Sequence, residues 1–360
     1  MRVAHVHRMR GIGGSERHLL ALLPALAGLG LDPVFVGLDD PAWDATAFYE
    51  ALDRAGVASI RLCAPRDLDP RLLRSLSRAL RRSQPDLVHT HLVHADVYGA
   101  LAARGRLVST KHNDDRFRTG PFRFVERALT RRAERVIAIT HALARFNVER
   151  VGLPAAKLEV VHYGLDEPPA AWGENPPSAV PDDARVLLSV SRLVAQKGVD
   201  RTIRALPAVR AEHPDVALVV LGEGPERASL DALAASLGVH DRVFLLGRVP
   251  DVAAWLLRAE LLVHPARWEG FGLALLEAML ASLPVVATGV SAIPELVADG
   301  ETGLIVEPGT LATAINGLLA DRAAAARLGA AGFARARGEF SVERMARRTA
   351  AVYGFESSER

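Results

Sequence analysis

One cysteine, Cys63, stands in 360 residues, so no disulfide can form within the chain and a reducing cytosol is the expected setting. No apolar run approaches the roughly 18 residues that a membrane-spanning helix needs. The opening Met1–His7 is too short and too polar for a signal peptide and reads as a first strand. No short-period repeat is present. Neither sign of charge dominates: 44 Lys and Arg stand against 42 Asp and Glu, a net +2, and no nucleic-acid partner is expected. No strand is followed by the D-x-D layout of a metal-dependent nucleotide-sugar site; Asp114-Asp115 and Asp182-Asp183 are both misplaced for it.

What is present is length and apolar content. Hydrophobic residues make up 49% of the chain. Above about 250–300 residues a single core usually splits, so two domains are expected. Charge is uneven along the chain. Residues 1–165 carry 25 basic and 17 acidic side chains, a net +8, and residues 166–360 carry 19 and 25, a net −6. A basic front half suits an anionic partner, such as a phosphorylated lipid carrier or a membrane surface. Arginine decorating helix surfaces explains it equally well.

Short apolar strands alternate with longer helical patterns. Strands are expected at 3–7, 33–37, 59–62, 87–89, 107–110, 135–139 and 158–162, with helices near 15–29, 70–83, 121–133 and 141–150. Alternation of this kind means βαβ units and a parallel sheet covered on both faces. Residues 166–184 break it with Glu167-Pro168-Pro169 and Asn175-Pro176-Pro177, a natural boundary. It then restarts, with strands at 186–190, 217–221, 243–245, 261–264, 285–287 and 303–306. The Ala/Arg-rich tail, 310–354, reads as helical throughout. The expected organisation is an N-terminal domain at 1–165, a linker at 166–184, a C-terminal domain at 185–340 and a last helix at 341–360 that packs back on the first domain. The fold class is α/β: two Rossmann-like, doubly wound domains facing across a cleft. Ligands bind such sheets at the carboxyl ends of the strands.

The most informative local feature is the pair Glu269 and Glu277. Glu269 falls in a strand-to-helix loop, and Glu277 about one turn into the helix that Leu273, Leu276, Met279 and Leu280 outline. Gly270 and Gly272 lack Cβ and let a ligand approach the backbone. The first amides of the helix favour an anion. A carboxylate on an apolar helix needs a partner for its oxygens, and a ribose diol would serve. The loop reads as a sugar-nucleotide site.

Three further strand ends carry related signals. In Arg8–Glu16 the glycines at 11, 13 and 14 open a helix, and Gly13 and Gly14 suit a phosphate or sugar. The spacing lacks the third glycine of a dehydrogenase fingerprint. In Ser191–Gly198, Arg192 and Lys197 put a forked and a compact cation in one loop, fit to hold a diphosphate as it leaves. Leu221-Gly222-Glu223-Gly224 could line a pocket wall. His89, His91 and His94 form H-x-H-x2-H, but no carboxylate or cysteine completes a metal set. His112 lies just past a strand; a lone histidine there is ordinarily a hydrogen-bonded structural residue.

Taken together, these motifs resemble the retaining glycosyltransferases of family 4, which have the two-domain GT-B fold. The resemblance rests on Gly13–Glu16, Leu87–His91, Arg192 with Lys197-Gly198, Leu221-Gly222-x-Gly224, Glu269-Gly-Phe-Gly with Glu277, and Pro294-Glu295 with Asp299-Gly300-x-x-Gly303. It covers nearly the whole chain. It implies a diphosphate clamp of Arg192 and Lys197, and a ribose carboxylate at Glu277. It also implies a donor-sugar group of Glu269 with the backbone of Phe271, Gly272 and Leu273. Val249 would contact the base and Gly14 the diphosphate, and His112 would lie near the reacting sugar. The implied substrate is a UDP- or GDP-sugar, with no cofactor and no catalytic metal. The implied acceptor is a glycan or a lipid-linked intermediate of the cell envelope or an exopolysaccharide. Residues 116–135 alternate basic and apolar side chains, which suits an anionic membrane at the inner face of the plasma membrane; an ordinary helix with its apolar stripe in the core is the competing reading. Two rival functions share the fold, a sugar-nucleotide-binding protein without transfer activity and a sugar-nucleotide epimerase. A nicotinamide oxidoreductase is disfavoured by the broken fingerprint.

Overall fold

The computed structural model describes residues 1–114, 116–166, 180–249 and 251–355. These form two compact units, one of described residues within 1–165 and 340–355, the other of described residues within 166–339. Most of the Pro-rich connection expected at 166–184 lies outside the described residues.

The first unit holds seven parallel strands: β1 (Arg2–Met9), β2 (Asp32–Asp39), β3 (Ala58–Cys63), β4 (Leu87–His91), β5 (Arg106–Lys111), β6 (Arg135–Ala138) and β7 (Leu158–Val160). Their order is β3-β2-β1-β4-β5-β6-β7, the doubly wound arrangement with its reversal beside β1. Alternation along β1 divides the core. Ala4 and Val6 pack with Val36, Leu72, Leu76 and Tyr98 on one face. Val3 packs with Leu22, Leu26 and Val108 on the other. Helix Val342–Val352 belongs to that second face, where Val342, Met345, Ala346 and Ala350 complete the cluster together with Tyr353.

The second unit repeats the plan with β8 (Arg185–Val190), β9 (Val216–Leu221), β10 (Val243–Gly247), β11 (Leu261–His264), β12 (Val285–Thr288) and β13 (Leu304–Val306). The order is β10-β9-β8-β11-β12-β13, again all parallel.

The helical tail is not continuous. It breaks at Asp321, whose carboxylate accepts from the Ala324 amide, and again at Ser341, whose hydroxyl accepts from Arg344 N. Both are helix-starting side chains that offer the backbone an alternative to continuing the turn. Two helices absent from the sequence expectation are Thr46–Arg54 and Leu92–Ala102. The second follows β4 with no glycine between them; Leu92 itself takes a positive φ of 70° to make the turn.

Candidate active site

Three loops at the carboxyl ends of β9, β8 and β11, which are neighbours in the sheet, are laced together. Gly222 has φ 135°, and a Cβ there would fall 2.0 Å from the Ser191 carbonyl oxygen. At Gly224 a Cβ would fall 2.2 Å from the Leu193 carbonyl oxygen. The glycines after β9 are therefore needed so that its loop can lie on the Arg192 loop. That loop in turn lies on the one after β11. Arg267 N donates to Gln196 O at 2.7 Å, and the Arg267 guanidinium forks onto both oxygens of Asp200 at 2.8 Å. A Cβ at Gly198 would meet Pro265 O at 2.1 Å.

This lacing brings Lys197 to Glu269. Lys197 Nζ donates to Glu269 Oε2 at 2.5 Å, and His264 Nε2 lies 2.9 Å from the same oxygen. Glu269 Oε1 accepts from the Gly270 amide. Glu269 is only 7% exposed. Burial alone would raise its pKa, but the His264 hydrogen bond and the Lys197 ammonium outweigh that and hold it at about 2. It is a carboxylate at any physiological pH, with His264 supplying a ring N–H. Sequence reading missed His264. Its signal was present: the apolar strand Leu261–Val263 ends in a histidine five residues before the glutamate.

The other residues that the sequence suggests as donor contacts lie in the same unit. Gly272 has φ 100° and starts helix Leu273–Leu280, leaving the amides of Leu273 and Ala274 without an intrahelical acceptor. Phe271 is buried and anchors the loop. Glu277 is half-buried in the second turn of that helix. Val249 is half-buried just past β10. Arg192 is exposed and forms no ion pair with any described residue.

In the first unit, Gly13 precedes helix Gly14–Gly28, and both glycines are exposed. Glu16 Oε2 accepts from Gly13 N at 2.9 Å and from Ser15 Oγ at 3.1 Å. His112 lies elsewhere in kind, in a cluster of six buried imidazoles. The parallel register of β1 and β4 sets His5 beside His89 and His7 beside His91. His5 Nδ1 meets His91 Nε2 at 3.1 Å, and His91 Nδ1 meets His112 Nε2 at 3.1 Å. His112 Nδ1 bonds the Tyr163 hydroxyl. His89 is held by Tyr353 OH at 2.5 Å and Thr110 Oγ1 at 2.7 Å. His18 stacks on Tyr163. Burial pushes the pKa of all six downward, to about 3 for His5 and His18. Both ring nitrogens of His112 are thus engaged inside its own unit. His94 does not join: it faces Asp67 at 3.3 Å. His5 takes its place, and His5, His89 and His91 bring ring nitrogens within 4.8 Å of one another. A metal ion there would have to take His89 from Tyr353 and Thr110.

Helix Phe122–Arg132 inverts the usual pattern. Its buried residues are Glu126 and Thr130, whereas Phe124 and Val125 are exposed, as is the nearby Phe117. The cause is a buried charge network: Glu126 receives Arg118 Nη2 at 2.5 Å and lies 3.2 Å from Lys111 Nζ, which also holds Asp96 at 2.5 Å. Arg118, one of the basic residues of the 116–135 segment, is therefore in the core, where it meets Glu126 and the Asn147 side chain. The competing reading of an ordinary apolar stripe in the core is not what this helix shows.

Comparison with known proteins places these features in a family. Residues 12–167 match the model described as Glycosyltransferase Family 4, and residues 172–335 match that of Glycosyl transferases group 1. The chain is 35% identical over 240 residues to the lipopolysaccharide core biosynthesis mannosyltransferase LpsB of Rhizobium meliloti (strain 1021), covering 62% of this chain and 66% of that enzyme. It is 30% identical over 290 residues to a glycogen synthase of Mycobacterium tuberculosis (strain ATCC 25618 / H37Rv), covering 76% of this chain and 69% of that one. In fold it resembles Anabaena Alr3699/HepE, solved in complex with UDP and glucose, with a TM-score of 0.82 at 23% identity over 98% of this chain and 99% of that one. The chain belongs to the group 1 glycosyltransferases, family 4, with the GT-B fold.

Proposed function

We propose that the protein moves a hexose-type sugar, with retention of anomeric configuration, from a UDP- or GDP-sugar to a hydroxyl of a cell-envelope or exopolysaccharide acceptor. The observation that carries this reading is the Lys197–Glu269–His264 constellation beside the Gly272 helix start. One ammonium N–H donates to Glu269, which leaves Lys197 two donors for a diphosphate. Arg192 adds a forked cation, and the free helix amides add partial positive charge. As the bond from the anomeric carbon to the phosphate oxygen breaks, negative charge grows on that oxygen, where these groups stabilise it. The acceptor oxygen bonds the same face of the anomeric carbon, and its proton passes to the leaving phosphate oxygen. Glu269, fixed as an anion, accepts from donor-sugar hydroxyls, and the backbone amides at Phe271, Gly272 and Leu273 donate to the sugar and its phosphates. Glu277 takes the ribose diol, Val249 the base, and Gly222 lines the wall. Gly13, Gly14 and His112 are the first unit's proposed contributors. With the diphosphate met by protein cations, no metal is required. Support comes from the LpsB relative, a mannosyltransferase, and from the UDP and glucose bound to the Anabaena neighbour.

Proton NMR of the reaction in the presence of a chelator tests this reading. An α-linked donor should give the α-anomer first. An initial β product, or a strict need for divalent metal, would contradict it.

We further propose that Phe117, Phe124 and Val125, with Arg123, Arg127 and Arg131 on the same helix, meet an anionic membrane surface. Sedimentation with vesicles should rise with anionic lipid content. Binding indifferent to that content would remove this contact.

A further inference from the structure

A second group of side chains gathers at the carboxyl ends of β3, β2, β1 and β4, all in the first unit. Arg10, just past β1, donates from Nη2 to Asp67 Oδ1 at 2.6 Å and from Nε to Asp40 Oδ2 at 3.2 Å. Arg8, buried at the end of β1, reaches Asp40 Oδ2 at 3.2 Å and lies 3.5 Å from Asp67 Oδ1. His94 Nε2 faces the same Asp67 oxygen. Beside them is Trp43, whose amide closes a turn onto Asp40 O and whose side chain is 52% exposed. The six-membered ring of its indole lies next to Gly11, where a Cβ would come 3.5 Å from Cε3. Gly11 has φ 91°, a left-handed conformation that favours glycine, so no side chain fills the space next to the indole edge.

Three physical features decide what this surface fits. Two guanidiniums are matched by two carboxylates, so the group carries no net charge and offers no excess attraction to a phosphate or an anionic headgroup. Donors and acceptors alternate in fixed positions, which suits the neighbouring hydroxyls of a sugar. A half-exposed indole with one edge set beside Gly11 supplies a flat apolar face with only two side-chain torsions to fix, matching the C–H face of a pyranose ring. A hydrocarbon chain would find one aromatic ring among charges. We infer that Trp43 and the Arg10–Asp40–Asp67 group bind a neutral sugar ring of the acceptor, so that the acceptor presents a glycan to this unit. This rests on the glycosyltransferase reading above and names its acceptor class.

The test is saturation-transfer NMR on the full chain with methyl α-D-mannopyranoside and methyl α-D-glucopyranoside as probes. Wild type, Trp43→Phe and Trp43→Ala are compared, with inorganic phosphate as competitor. Saturation of ring C–H protons is expected in wild type and Trp43→Phe for at least one glycoside. In Trp43→Ala it should fall about fivefold or more, as loss of a stacking face predicts, and phosphate should not compete. Equal signals in wild type and Trp43→Ala, no signal in wild type, or displacement by phosphate would each overturn the inference. Nucleotide binding is measured on the same samples. It should be unchanged in both variants, and its absence in wild type would remove the glycosyltransferase reading itself, whatever the glycosides do.

Discussion

Between pH 7 and pH 5 the first unit should lose roughly 4 kcal/mol of unfolding free energy from His5 and His18 alone. Both are neutral in the folded state, with burial holding their pKa at about 3, against about 6.5 in an unfolded chain. A depressed histidine pKa means that the unfolded state binds the proton first. Stability is therefore fully present above pH 6.5 or so and is lost as pH falls from there toward the folded pKa. Each histidine forfeits about 1.4 kcal/mol per pH unit through that window. His89, His91 and His112 are displaced in the same direction by burial and by their neighbouring imidazoles. His7 is too, although Glu16 opposes its shift. Glu269 adds nothing in this window, because its contribution is lost only as pH falls below the usual glutamate range toward about 2. Hydrogen exchange followed by mass spectrometry at pH 7, 6 and 5, corrected for intrinsic rates, reads each unit separately. Protection of β1, β4 and β5 should fall steeply, well before that of β8, β9 and β11. Equal protection at pH 7 and pH 5 in the first unit would contradict a neutral buried cluster.

Lys197→Ala should lower turnover by about two orders of magnitude or more and should also cost the second unit about 3 kcal/mol. The first effect rests on the proposed diphosphate clamp and the second on one observed contact. The ammonium is 2.5 Å from a carboxylate that is almost fully buried. Removing it leaves Glu269 to His264 and the Gly270 amide, so an under-compensated buried charge remains. The two effects are separable. In Lys197→Ala with Glu269→Gln the buried charge is gone, and most of the stability should return. Turnover should not, because the diphosphate would still lack its proposed cation and the donor sugar the Glu269 carboxylate. Turnover in Lys197→Ala close to wild type, or recovered in the double variant, would mean that Lys197 serves only to neutralise Glu269.

The sequence carries much of this arrangement and conceals specific parts of it. The central strands are visible because a parallel sheet buried on both faces demands short runs of Val, Leu and Ile between polar breaks. Glu269, Arg192 and Lys197 stand out because they follow strand ends, where doubly wound sheets bind ligands, and Glu277 because it is a carboxylate on an otherwise apolar helix. The 2.5 Å contact between Lys197 and Glu269 is not visible. It spans 72 positions and depends on Gly198 and Gly222 letting three loops touch. Helix Leu92–Ala102 is hidden because it begins on a leucine in a left-handed conformation, where a reader looks for glycine or asparagine. The imidazole cluster is half legible. His5-x-His7 and His89-x-His91 each place two rings on one strand face, but only the β1–β4 register makes them neighbours. The inversion of helix Phe122–Arg132 runs against its composition, since apolar side chains yield the interior to Glu126 on account of Lys111 and Arg118.

The central claim is a sugar-nucleotide site in the second unit, and the most direct measurement is a thermal-shift series with UDP, GDP, ADP and their glucose, mannose and N-acetylglucosamine conjugates. One nucleotide class should stabilise the protein specifically, by about 2.7 kcal/mol at a hundred times its Kd, and Lys197→Ala should weaken that response. A well-folded chain that responds to none of these ligands would contradict the account.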